Sequence, residues 1–162
     1  FVEMGPRKSE RNIKTSIFKR IILENQNIWG IKDSSGDLIR FENYKRAAAH
    51  KPGTVVFNGD ESRMVFCSDV VPSFANLDPE TCRILYNECL DFEAGRKFNI
   101  QSYINDSGRI IYCDGKKRTR GLMFALSILG LCGETTYEPS DELTQAERTE
   151  IKGFIEQNYS SN

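Results

Sequence analysis

Two short apolar runs, each closed by a polar turn, constrain this chain more than any other feature. The first is Asn27-Ile28-Trp29-Gly30-Ile31-Lys32. It leads into the turn Asp33-Ser34-Ser35-Gly36-Asp37 and then a helical stretch over 38–50 that Asp37 can cap. The second is Thr54-Val55-Val56-Phe57, entered through Lys51-Pro52-Gly53 and left through Asn58-Gly59-Asp60-Glu61. Runs this short and apolar suit buried strands, and strands alternating with helices suit a parallel sheet. Ile13, Ile17, Ile21 and Ile22 predict a helix over 12–24 ahead of the first run. Asp69-Val70-Val71-Pro72-Ser73-Phe74 reads as a third strand, weakened by Pro72. Chemistry in such folds sits at the carboxyl ends of the strands, here 32–37, 58–61 and 73–76.

The remainder reads as helical. A short helix is expected over 61–67. Asp78-Pro79-Glu80 is an N-cap followed by proline at the first helical position. Helices are predicted over 79–90, 93–112 and 116–130, with Gly130 as a C-terminal cap. Thr144-Gln145-Ala146-Glu147 is a capping box opening a last helix toward Asn158. Lys and Arg number 22 against 23 Asp and Glu, a net charge of −1. No strong positive field therefore exists to gather nucleic acid. The longest apolar stretch, 121–132, falls short of the roughly 18 residues of a membrane span. Five cysteines, at 67, 82, 89, 113 and 132, form no C-x-x-C pair. With the single His50 they give no recognisable metal spacing, so we expect thiols in a reducing, cytoplasmic setting. Cys82 and Cys89 can share one helix face. A start on Phe1 leads us to expect a piece of a longer protein.

Lys32 is the sharpest chemical feature. An ammonium ending an apolar strand is partly desolvated, which favours the free amine as a nucleophile toward a ketone. The plain alternative is a strand-end lysine that reaches solvent or pairs with Asp33 or Asp60. The turn 33–37 can hold an anion on its amides or can be a capped turn. The cluster Lys116-Lys117-Arg118-Thr119-Arg120 can bind an anion or be a solvated helix start.

Together these stretches resemble the dihydrodipicolinate synthase / N-acetylneuraminate lyase family of class I aldolases. Residues 27–37 resemble the family's Schiff-base strand and the turn after it. Val56-Phe57-Asn58-Gly59-Asp60-Glu61 resembles the next strand end. Val70-Val71-Pro72-Ser73-Phe74-Ala75-Asn76, with the Asp78-Pro79-Glu80 helix start, resembles the one after. Gly121 to Leu131 and Leu143-Thr144 are similar to the family's C-terminal region.

The resemblance implies an α/β fold: a (β/α)₈ TIM barrel of which this chain is the C-terminal portion, about three strands, plus a C-terminal helical bundle. The division implied is 1–77 for the barrel part and 78–162 for the last barrel helix and helical region. It implies Lys32 as the Schiff-base lysine for pyruvate or a related 2-oxo acid. Ser34, Gly59 and Val71 are then substrate-binding, the last two mostly through backbone groups. It implies no cofactor, no metal, and a homo-oligomer. A complete barrel takes roughly 250 residues. The family's Thr-Thr and proton-relay tyrosine lie upstream of the part matched, and the stretch 61–69 is shorter than in relatives. Pro72 and Phe74 alter a run of small residues. The function expected is a lyase or aldolase acting on a small 2-oxo acid through Lys32, with the missing N-terminal half as a candidate partner. The rival expectation is a non-catalytic, truncated relative serving as an interaction or structural module. A phosphate-binding α/β domain ranks last, for want of a P-loop or dinucleotide fingerprint.

Overall fold

A computed structural model describes residues 2–4, 13–66, 69–90, 94–136 and 141–159. Strand β1 (Val2–Met4) precedes helix α1 (Thr15–Glu24), β2 (Gly30–Ser34), α2 (Leu38–Ala48) and β3 (Val55–Asn58). The three strands form one parallel sheet in the order β1-β2-β3. Lys32 stands opposite Val2 on one side and Phe57 on the other. The expected α/β alternation is therefore present.

One expected strand is not. The run 69–74 contributes only a single parallel bridge, Val70 to Asn58, and Phe74–Asn76 is a turn of 3₁₀ helix. Pro72 has no N–H to give to a ladder. The next two amides, of Ser73 and Phe74, donate to the Glu61 carboxylate instead. The third strand of the sheet is β1, which periodicity did not reveal. The expected helix over 61–67 is a kinked 3₁₀ segment, Glu61–Phe66, and Cys67 lies outside the described residues.

Burial along the strands runs with period two, not continuously. Ile31 and Asp33 of β2 and Val56 and Asn58 of β3 are buried. The alternate residues Lys32 and Phe57 are not. Successive strand residues point to opposite faces, so the sheet has one covered and one open face. α1 and α2 cover the first face with Phe18, Ile22, Phe41 and Tyr44, which cluster with Ile31 and Val56. Phe18 meets Tyr44 edge to face at 5.2 Å, and the Tyr44 hydroxyl donates to the Ile13 carbonyl at 2.5 Å. Asp37 caps α2 by accepting from the amides of Ile39 and Arg40, worth ~1 kcal/mol. Lys51 ties the loop after α1, donating to the carbonyls of Asn25, Gln26 and Ile28 under the Trp29 ring.

The second half is helical: α3 (Pro79–Leu90), α4 (Ala94–Ile111), α5 (Arg118–Ile128) and α6 (Gln145–Tyr159). α5 begins two residues later than expected. Cys113, Asp114 and Gly115 all take positive φ, making a tight left-handed reversal after α4. These helices surround a second cluster that includes Leu85, Ile104, Ile111, Ala125, Ile151 and Ile155. It reaches back to Met64 and Phe74. Gly121 is required where α5 crosses the end of α4, because a Cβ there would overlap the Ile111 carbonyl oxygen.

The capping box of α6 forms as read. Glu147 accepts from the Thr144 amide at 2.6 Å, and the Glu147 amide donates to the Thr144 hydroxyl at 3.3 Å. Lys117 donates to the Glu147 carboxylate at 2.8 Å. That bond, with the Thr144 amide, holds the Glu147 carboxyl down at about 2 against an ordinary 4.5. A carboxyl depressed on folding stabilises the fold above its ordinary value, and the contribution disappears as pH falls through the folded one. Protection of the Thr144 amide, its exchange relative to an unfolded peptide at the same pH, is therefore expected to be full at pH 5 and to fall between pH 4.5 and 2. Lys117→Met is expected to shift that onset upward, which amide exchange across the pH range would show.

Candidate active site

The open face of the sheet carries the candidate chemistry. Lys32 lies at the middle of β2, flanked on the same face by Gly30 and Ser34. Gly30 opens the strand because a Cβ there would run into the Val55 carbonyl. Lys32 and Ser34 both lean over Gly59, the residue after β3. A Cβ on Gly59 would lie 2.8 Å from Lys32 Cε and would overlap the Ser34 hydroxyl. Glycine at 59 is what lets both side chains lie across the strand end. Lys32, Ser34 and Gly59 are half-buried. Val71 is 41% exposed and lies beside Asn58, to whose carbonyl its amide donates at 2.9 Å. The geometry thus gathers Lys32, Ser34 and Gly59 directly and sets Val71 next to them through Asn58.

The backbone at these positions is partly committed. The Gly59 amide donates to the Asp33 carbonyl at 2.7 Å, and the Val71 amide to Asn58. Backbone recognition of a ligand at either residue is thereby left to the carbonyl oxygens.

Neither carboxylate offered as a partner for Lys32 pairs with it. Asp33 is buried on the helix side and accepts from the Ser35 amide at 2.9 Å. Asp60 accepts from the Ser62 amide and hydroxyl and lies 3.5 Å from Arg63 Nε. Among the described residues no ion pair engages Lys32. A small cleft lined by Asp33, Gly36, Asp37 and Arg63 lies beside the turn, and Lys32 is outside it.

Two anion-binding candidates resolve into internal contacts. In the turn, the amides of Ser35, Asp37, Ile39 and Arg40 are taken by the side chains of Asp33, Ser35 and Asp37. Arg63 closes it by donating to the carbonyl of Gly36, whose φ is +71°. In the basic cluster, Lys117 pairs with Glu147, Arg118 with Glu61, and Arg120 with Glu142. The described cysteines are free, and burial pushes the thiols of Cys82, Cys89 and Cys113 up, to about 12 for Cys82 and about 11 for Cys113. These three are poor nucleophiles at neutral pH. Among the described residues, no three His, Cys, Asp or Glu side chains converge as metal ligands.

Glu61 was not singled out by the sequence. It is a buried carboxylate that binds two backbone amides and Arg118. Its partners lie far along the chain, so no local spacing marks it. Tyr112, whose ring lies under Arg118, is held protonated by burial and by the Glu61 charge.

Known proteins are similar to this chain in sequence and fold. A 4-hydroxy-tetrahydrodipicolinate synthase from Campylobacter curvus is 30% identical over 158 residues, covering 88% of this chain and 52% of that protein. The structure of dihydrodipicolinate synthase from Bacteroides thetaiotaomicron matches with a TM-score of 0.83 at 26% identity, over 96% of this chain and 54% of that one. An N-acetylneuraminate lyase from Fusobacterium nucleatum shares the fold, with a TM-score of 0.73 at 20% identity over 94% of this chain and 52% of its own. The chain spans about half the length of the relatives it matches. It accordingly has the fold of about half of a dihydrodipicolinate synthase-type TIM barrel with its adjoining helices. The pattern of the dihydrodipicolinate synthetase family matches residues 4–158, nearly the whole chain. The chain belongs to the dihydrodipicolinate synthetase family.

Proposed function

We propose that this chain supplies the Schiff-base half of a class I aldolase-type lyase acting on pyruvate or a related 2-oxo acid. The observation that carries the reading is Lys32, lying across Gly59 on the uncovered face of the sheet, with no carboxylate partner among the described residues. Its amine adds to the ketone carbon, a proton passes from nitrogen to the carbinolamine oxygen, water leaves, and the imine takes a proton from solvent to become an iminium. The iminium accepts the electron pair of a neighbouring C–H or C–C bond, so that a carbon–carbon bond can form or break. No organic cofactor is required for that step. Ser34 and the carbonyls of Gly59 and Val71 line the keto acid, and a second chain or an N-terminal half closes the open face. No helix among the described residues is long and apolar enough to cross a membrane. The free thiols fit a reducing, cytoplasmic setting.

A non-catalytic role is the second reading, favoured by one observation: among the described residues no helix covers the Lys32 face of the sheet. Borohydride reduction in the presence of pyruvate, followed by peptide mass spectrometry, separates the two. A reduced adduct on Lys32 is expected. An unmodified Lys32, both alone and with an N-terminal half of a family member added, favours the module.

A further inference from the structure

We infer that Glu61 and Arg118 form a positioning pair, through which the helical half fixes the 71–74 stretch beside Lys32; the inference rests on the Schiff-base reading of that lysine. The stretch is held at two points. Its near end is the Val71 amide, donating to the Asn58 carbonyl at 2.9 Å. Its far end is held by Glu61, whose Oε2 accepts from the Ser73 amide at 2.6 Å and the Phe74 amide at 3.2 Å. The other carboxylate oxygen of Glu61, Oε1, accepts from Arg118 Nη1 at 2.5 Å, at the first residue of α5.

Glu61 is itself held from α4. Gln101 Nε2 donates to the Glu61 main-chain carbonyl at 2.9 Å, and Gln101 Oε1 accepts from the Val65 amide at 3.1 Å. The guanidinium of Arg118 lies 4.5 Å from the centre of the Tyr112 ring, which fixes its approach. Two helices of the second half thus converge on one residue that follows the strand end carrying Gly59.

The chemistry makes the pair interdependent. The Glu61 side chain is 5% exposed, and removing one partner of so buried an ion pair is costly. An ionised carboxylate holds backbone amides more strongly than a neutral acceptor does. Without Arg118 the Glu61 carboxylate loses the partner that holds its Oε1, and its hold on the Ser73 and Phe74 amides weakens. The 71–74 stretch then keeps the Val71 hydrogen bond and the buried Phe74 ring but loses its polar anchor at Ser73 and Phe74, and the wall beside Lys32 and Gly59 loosens. Neither residue touches the reacting atoms; both act through the stretch they hold.

Hydrogen exchange and adduct kinetics test this together. In Arg118→Met, the Ser73 and Phe74 amides are expected to exchange about tenfold faster or more, the loss of a charge-assisted hydrogen bond. The Phe41 and Tyr44 amides in α2 are expected to keep their rates. The pyruvate concentration giving half-maximal trapping on Lys32 is expected to rise several-fold at an unchanged maximal rate, and Arg118→Lys to restore most of both. Unchanged exchange at Ser73 and Phe74 overturns the inference, as does equal acceleration in α2. If Arg118→Met does not fold, Glu61→Gln carries the same comparison, since it keeps an acceptor oxygen and loses the charge. Absence of a Lys32 adduct in the unaltered chain, both alone and with an N-terminal half of a family member added, overturns the Schiff-base reading, while the exchange rates still decide whether the pair holds the stretch.

Discussion

Lys32→Met is expected to abolish the pyruvate adduct, lowering the rate of trapping by on the order of 10⁴-fold or more. The thioether has the length of the lysine stem and no nitrogen to attack the ketone. Lys32→Arg is expected to fail equally. A guanidinium stays protonated at any accessible pH, so retention of the positive charge does not rescue the chemistry. Stability separates this loss from unfolding. Lys32 projects from the uncovered face of β2 and engages no ion pair among the described residues. Both variants are therefore expected to unfold within about 0.5 kcal/mol of the unaltered chain. A denaturant titration beside the mass measurement checks both expectations. A persistent adduct in Lys32→Met would place the chemistry on another lysine.

Gly59→Ala is expected to be the next most damaging change. The added methyl lands where the Ser34 hydroxyl now lies and 2.8 Å from Lys32 Cε, closer than unbonded carbons approach. Both neighbours are side chains, so the fold yields by moving them, and the amine leaves its position over the strand end. A displacement near 1 Å costs a reacting group about 10²-fold in rate. Trapping on Lys32 is expected to fall by about that factor. The stability cost is expected at about 1–3 kcal/mol, the usual range for overpacking. The double variant Ser34→Ala, Gly59→Ala removes the hydroxyl that the methyl meets. It is expected to recover part of the rate, and the non-additivity would report the contact between these two residues. Strict additivity would count against the crossing of Ser34 over Gly59.

The helical elements were legible in the sequence because their signals are local. Asp37, the Asp78-Pro79 pair and the Thr144–Glu147 box each announce a helix within a few residues, and each caps one. The two apolar runs likewise became β2 and β3. Sheet membership was less legible, since pairing is decided by partners elsewhere in the chain. Val2–Met4 is too short to show periodicity, yet it lies beside β2. The 69–74 run has strand composition, but Pro72 has no N–H and the next two amides go to Glu61. In the site, Lys32 was visible from its apolar run and the family likeness, although β2 runs two residues past it to Ser34 rather than ending there. That Lys32 and Ser34 cross over Gly59 was not, because two strands must be laid side by side before the missing Cβ acquires a meaning. The Glu61–Arg118 pair spans from the 3₁₀ segment to α5, and no window on the sequence contains both.

The two apolar clusters have a consequence for how the molecule comes apart. Among the described residues Val70 is the one apolar side chain that packs against both. Elsewhere the α1–α2 layer and the helical half each bury their own residues. Cooperativity in a domain comes from shared burial, and regions that share little open as separate units with their own free energies. Glu61, Ser73 and Arg118 therefore lie at a seam, where one unit can melt while its neighbour stays folded. A denaturant or temperature scan read at single amides would show two families of opening energies, with the residues beside Lys32 following whichever half gives way first.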